Sequence, residues 1–324
     1  MRLGPAEARG ASRQEGMPVG YSLVISPAAV ALVAIPIEVT WSYGVAGLVF
    51  AAGIVAIFLR REWRTERKLD KLILFGPLFY AVPVAAFGTE HFTVTGGIAS
   101  IVPAWIPWHI FWVYLVGTCL IAAAFSLVTG ICVRLSSSLL ALMFFLFVVL
   151  MDVPGCMRDP HNRFSITLAL RELSFCAGPL ALAASLNRQQ SPRAARVAAT
   201  IARYFIAIPV LFYAIEQFLH ADHVPGIPLE MVTPTWLFGH AMWTYVAAVM
   251  YAIAGILLLV GQKTRIAAAW IGLTVLFVIL VVYVPIAVAE HDSLEGLNYL
   301  FDTLMYCGTV LLLAGAMPRS EQSG

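Results

Sequence analysis

Charge is what this chain has least of. Only 12% of its 324 residues are Asp, Glu, Lys or Arg, against 60% hydrophobic, and the mean hydropathy is +0.86. A soluble domain carries about twice that charged fraction, so a water-soluble fold is excluded first. Cysteines are few and scattered: Cys119, Cys132, Cys156, Cys176 and Cys307 contain no CxxC pair. That argues against an exported disulfide framework and against a relay of paired thiols. No phosphate-binding glycine loop, dinucleotide fingerprint, nucleophile elbow or HExxH motif occurs, which counts against nucleotide-driven transport and metalloprotease chemistry. No haem or iron–sulfur ligand set is convincing, and no metal site is read. The net charge of +2 offers no face for nucleic acid.

What the chain does have is apolar length. Several segments stay hydrophobic for about 18 residues or more, enough to cross a bilayer as helix. Spans are expected near 72–88, 107–130, 134–153, 164–185, 203–219, 236–260, 265–284 and 297–316. The runs are continuous and do not alternate, so helices are expected and not barrel strands. A further apolar stretch, 21–59, is interrupted by Pro36, Glu38, Thr40 and Trp41. It predicts one or two extra spans, and two (21–37 and 42–59) are favoured. Residues 1–20 read as a disordered cytoplasmic tail, not a cleaved signal peptide, and 318–324 as a short tail.

The chain also repeats itself. Residues 103–185 align without a gap on 234–316, so that Pro103, Trp105, His109, Trp112 and Tyr114 fall on Pro234, Trp236, His240, Trp243 and Tyr245. Further on, Gly130, Arg134, Pro154, Leu173 and Cys176 fall on Gly261, Arg265, Pro285, Leu304 and Cys307. A fixed self-offset marks a duplicated unit. The fold class expected is all-α: a polytopic membrane protein of two tandem four-helix bundles, 72–186 and 202–317, plus the N-terminal segment. An even number of spans per copy makes them parallel repeats about an axis along the membrane normal. A basic loop, 60–71, and a basic linker, 187–201, fall on one side with Arg134, Lys263 and Arg265. Loops 89–106, 220–235 and 285–296 on the other side carry no Lys or Arg. The positive-inside rule makes the first side cytoplasmic, with the C-terminus there and the second side exterior.

That topology gathers all seven histidines, His91, His109, His161, His220, His223, His240 and His291, at the outer face. Imidazole beside carboxylate suits proton transfer, metal ligation or hydrogen bonding to a quinone. Glu90 and Glu216 close the first span of each copy, where an unpaired carboxylate is costly. The sharpest site to be drawn uses Glu90, His91, Glu216, His109 and His240 as a proton relay. Trp105, Trp112, Trp236, Trp243 and His220 would hold the ligand, the Trp–His–Trp spacing of i, i+4, i+7 setting both rings on one helix face. An interfacial aromatic belt explains the same residues without a ligand. Arg134 and Arg265 read as topology anchors that contact lipid phosphate. Arg171 lies about two turns inside a span and its duplicate is Asp302. A structural ion pair across the axis is one reading; pairing of Arg171 within its own bundle is the other.

The runs Gly88-Thr-Glu-His-Phe92, Pro103-Ala-Trp-Ile-Pro-Trp-His109, Met143 to Pro154 and Glu295-Gly-Leu-Asn-Tyr299 resemble bacterial members of the DoxX-like family of membrane proteins. The family is named for the small membrane subunit of a thiosulfate:quinone oxidoreductase, and its members are typically single four-helix bundles. The resemblance therefore implies a fused pair in the bacterial cytoplasmic (inner) membrane, serving a redox or quinone-linked complex with a protein partner, membrane lipid and a quinone. The chain departs from the pattern at Gln217, where the first copy has His91. Two other readings stay open: a non-catalytic assembly subunit, and a small-molecule or lipid transporter.

Overall fold

A computed structural model describes residues 35–59, 61–66 and 69–319. The tails expected at 1–20 and in most of 318–324, and the span expected over 21–37, lie almost wholly outside these residues. Among the described residues, nine helices are long and apolar enough to cross a membrane. We number them α1 (Ile37–Leu59), α2 (Leu69–Thr93), α3 (His109–Thr129), α4 (Val133–Arg158), α5 (Arg163–Leu186), α6 (Pro192–Leu219), α7 (His240–Val260), α8 (Thr264–Ala289) and α9 (Leu294–Ala316). Where two short N-terminal spans were favoured, the described part is one uninterrupted 23-residue helix, α1. Trp41 and Thr40 do not break it. The basic linker also proves shorter than 187–201, because α6 starts at Pro192. Proline suits the first helical turn, and Ala194, Ala195, Ala198 and Ala199 behind it are strong helix formers.

Local structure recurs at the spacing seen in the sequence. Helix α3 ends on Gly130 (φ 84°) and α7 on Gly261 (φ 81°), both left-handed and free of a Cβ penalty. Near the end of α4 a π turn, Val148–Asp152, precedes Pro154; in α8 the turn Ile279–Tyr283 precedes Pro285. Each proline lacks the N–H that an α ladder needs, so the ladder slips by one residue. Asn162 caps α5 through Ser165 N, and Ser293 caps α9 through Gly296 N. The thiol of Cys176 donates to Ala141 O (3.2 Å), that of Cys307 to Gly272 O (3.3 Å).

Packing joins α2 to α9 in an eight-member ring in which each helix touches the next and α9 closes back on α2. The pair α5–α9 crosses the middle, and α1 lies outside against α2 and α3. Thus α2 packs on α9 as well as on α3, and α6 on α5 as extensively as on α7. Two self-contained bundles side by side were expected; the two quartets are instead interlocked. The tightest crossing explains why. A Cβ at Gly308 of α9 would stand 2.4 Å from Tyr80 N of α2, so only glycine lets these backbones meet. Small residues play this part in membrane helix packing, where lipid offers no hydrophobic drive. Two contacts join residues 131 apart: Arg171 with Asp302, and Gly178 with Thr309.

Candidate functional site

The centre of interest is polar and lies inside an apolar ring. Arg171 of α5 donates from Nη1 to Asp302 Oδ2 of α9 at 2.5 Å and from Nη2 to its neighbour Glu172 Oε1 at 2.8 Å. At 1.5 Å per residue Arg171 sits about 12 Å along α5. Tyr213 of α6 adjoins the same guanidinium, and its hydroxyl has no hydrogen-bond partner. Asp152, delivered by the π turn of α4, adjoins Glu172 and Arg171. Glu90 of α2 adjoins Asp302 and Asn298 of α9. Tyr80 of α2 donates to Phe175 O of α5 at 2.8 Å and stands close to Glu172. Four carboxyl groups from four helices therefore cluster about the Arg171–Asp302 pair, Glu90 on its Asp302 side.

The acceptors outnumber the donors. Glu90 Oε1, Asp152 Oδ2, Glu172 Oε2 and Asn298 Oδ1 are buried without a partner, as is Arg171 Nε among the donors. Burying a carboxylate unpaired costs several kcal/mol, so such a group is neutralised by a proton or by a bound cation.

Within the second quartet the corresponding positions are filled differently. The connection between α6 and α7 folds inward, and its stretch Val224-Pro-Gly-Ile-Pro-Leu229 is buried. Irregular backbone at that depth requires internal partners. Tyr283 donates to Pro225 O (2.8 Å) and Gln217 Nε2 to Gly226 O (3.1 Å). Arg163 donates to Pro228 O (2.8 Å) and Leu229 O (2.9 Å). The two prolines remove donors that would otherwise need acceptors. Arg163 also reaches Glu216 at 3.4 Å and His223 Nε2 at 3.2 Å.

Among the described residues, one trio of metal-ligand types stands close enough to grip a single ion: His220, Asp222 and His223. Both ring nitrogens of His223 are taken, Nδ1 by Asp222 at 3.1 Å and Nε2 by Arg163. A ligating imidazole turns its second nitrogen to an acceptor, whereas here a guanidinium faces it. The trio fastens the inserted connection. Its hydrogen bond from His223 holds the Asp222 carboxyl below the usual range.

The residues proposed from sequence do not form one pocket. Glu90 and Glu216 lie on α2 and α6, opposite members of the ring, and each faces the central pair. Their hydrogen bonds and ion pairs among the described residues do not reach His109 or His240. The Trp–His–Trp helix face needs correcting. α3 begins at His109 after Trp108 in the left-handed region (φ 58°), and α7 begins at His240 after Gly239 (φ 69°). Trp105 and Trp236 therefore precede the helices, in turns shaped by Pro103, Pro107 and Pro234. Both are exposed. Trp112 and Trp243 instead donate their indole N–H to Pro107 O (3.0 Å) and Phe238 O (2.9 Å), bracing those turns. His91 is turned to its own helix, with Nδ1 2.7 Å from Phe87 O. His220 is half-buried beside Glu216 (3.9 Å). Arg265 donates to Ala314 O (2.9 Å) and to Asp70, while Arg134 donates to Gln190, so both hold protein groups at the basic end.

Asp152, Asn298, Tyr213 and Arg163 were not singled out from sequence. Asp152 carried the clearest signal, a lone acid before proline in the apolar run 143–154.

Compared with known proteins, the chain matches no family model, no curated protein and no solved structure.

Proposed function

We propose that this chain is an integral membrane subunit of the DoxX-like type, made of two fused, like-oriented four-helix units, and that it serves a redox or quinone-linked complex by taking up and releasing protons at its histidine-bearing end. The observation that carries this reading is Glu90, 7% exposed, in a membrane-spanning helix, with a bare carboxylate oxygen and with Asp302 as its charged neighbour. An intramembrane acid without a cation is held protonated and is a natural exchange point for protons. Repetition of caps, π turns and thiol hydrogen bonds at one spacing supports the fused-unit reading. The basic residues Arg134, Arg188, Lys263 and Arg265 collect at the opposite end, which supports a cytoplasmic placement for that end and for the C-terminus. The exposed Trp105, Trp112 and Trp236 with His109 and His240 form a belt where a lipid-borne quinone headgroup would arrive.

Extraction of the purified protein tests the proposal. A co-purifying quinone near one per chain is expected, falling in Glu90→Gln and in the double variant His109→Ala/His240→Ala. Absence of quinone from protein purified with gentle detergent would refute the quinone link.

One observation favours the assembly reading as a second. Helix α1 covers α2 and α3, while α6 and α7 leave Ile208, Ile215, Tyr245 and Val249 exposed on their outer side. A stoichiometric partner chain with no quinone would favour that reading.

A further inference from the structure

The acid cluster has an unequal counterpart, and the inequality points to a ligand. In the second quartet the positions that match Asp152 and Glu172 are Tyr283 and Thr303. Both lie against Gly226 of the inserted connection. The space that the connection fills there has no such plug in the first quartet. Residues 94–108 instead form a short helix, Thr95–Ile101, that packs on α3 and buries none of its residues. Asp152, Glu172 and Asn298 are accordingly part-exposed, while Glu90 and Tyr213 stand deep behind them.

We infer that this acid-lined recess, between α2, α4 and α5 and the facing helices α6 and α9, binds a small organic cation carrying N–H donors, a protonated amine or a guanidinium. Four observations carry the inference. The recess gathers four carboxyl groups about a single guanidinium in an apolar bundle, more acids than the one cation can pair. Its unpartnered side-chain oxygens on Glu90, Asp152, Glu172 and Asn298 all accept, so a cation that also donates N–H bonds would serve them. Tyr213, fully buried on a separate helix, adds an unpartnered hydroxyl close to Arg171, Glu172 and Asp302. No three of its carboxylates stand close enough to share one ion, whereas His220, Asp222 and His223 do. A bare metal ion is therefore a poor fit, and a cation with several spread donors is a good one. Arg171 already shows the chemistry, since its guanidinium joins two of the carboxylates at once. The inference stands apart from the quinone reading and survives its failure.

The test uses the full-length protein in detergent at constant ionic strength set by tetramethylammonium chloride, a cation without N–H donors. Agmatine, methylammonium chloride or sodium chloride is titrated in, and the unfolding temperature is followed. Agmatine and methylammonium are expected to raise it saturably, with at least a tenfold loss of apparent affinity in Glu90→Gln and Asp152→Asn. Asp152 is part-exposed and outside the Arg171–Asp302 pair, so its variant keeps the test decisive if Glu90→Gln fails to fold. The inference is overturned if neither amine produces a saturable shift, if sodium reproduces the shift at equal concentration, or if both folded variants keep wild-type affinity.

Discussion

The two quartets differ most at the histidine-bearing end. Each brings a π turn, a first-span glutamate and a central helix to the histidine-bearing end. In the second, Tyr283 and Gln217, joined by Arg163 from α5 of the first, spend their hydrogen bonds on an inserted connection, and that end is closed. In the first, Asp152 and Glu172 stand where the second has Tyr283 and Thr303, and they and Glu90 keep unpartnered oxygens. Similar local structure thus supports two outcomes: polar groups that hold a buried connection, and acids that keep unpartnered oxygens. Arg171 and Asp302 stand between the two, on the central helix pair.

The largest effect expected of any substitution is at that pair. Arg171→Leu leaves Asp302 and Glu172 buried without their cation, and loss of one partner of a buried pair costs about 3–5 kcal/mol. Unfolding in mild detergent measures it. The swap Arg171→Asp with Asp302→Arg is expected to recover part of that loss; no recovery over the single variants would show that the pair does not join the quartets. Next comes Gly308→Ala, whose new Cβ would press on Tyr80 N at 2.4 Å. Overpacking of this kind costs about 1–3 kcal/mol. The matching residue, Ala177 of α5, already carries a Cβ, so Ala177→Ser is expected to be milder; equal costs would erase the difference between the α2–α9 and α5–α6 crossings.

Much of the frame was legible in the sequence because membrane helices follow simple rules. Continuous apolar runs located eight long spans, and Gly130 and Gly261 marked the turns that they make. Arg171 and Asp302 could be named together because they share the 131-residue spacing that the sequence displays. The site was less legible, for two physical reasons. Trp105 and Trp236 carry helical spacing toward His109 and His240, but the prolines before each helix unwind that stretch. And the inserted connection has no periodic signal: its burial depends on donors from Arg163, Gln217 and Tyr283, which lie on three separate helices. Propensity and hydropathy do not report such convergent hydrogen bonds.

The plug itself gives smaller, sharper tests. Arg163→Ala removes the donors that serve Pro228 O and Leu229 O, at about 1–3 kcal/mol for acceptors left unsatisfied. Proteolysis between 220 and 235 is expected to accelerate while the segment 94–108 is cleaved as before. Faster cleavage in both connections would mean general loosening and would dissolve the contrast between the quartets. Tyr283→Phe deletes one hydrogen bond to Pro225 O, worth about 1 kcal/mol, with little change in shape.

The smallest effect belongs to Asp222, which is exposed. His223 stabilises its charged form, so the folded value lies below the unfolded one, about 3.9. A carboxyl shifted in that direction contributes at pH values above its unfolded value and ceases to contribute as pH falls through its folded value. Asp222→Asn should therefore quicken cleavage of the connection slightly at neutral pH. The difference from the unaltered protein should shrink as the medium is made more acid than the usual aspartate range. A variant that differs from it equally at pH 7 and in strong acid would show that the Asp222 charge takes no part in holding the plug.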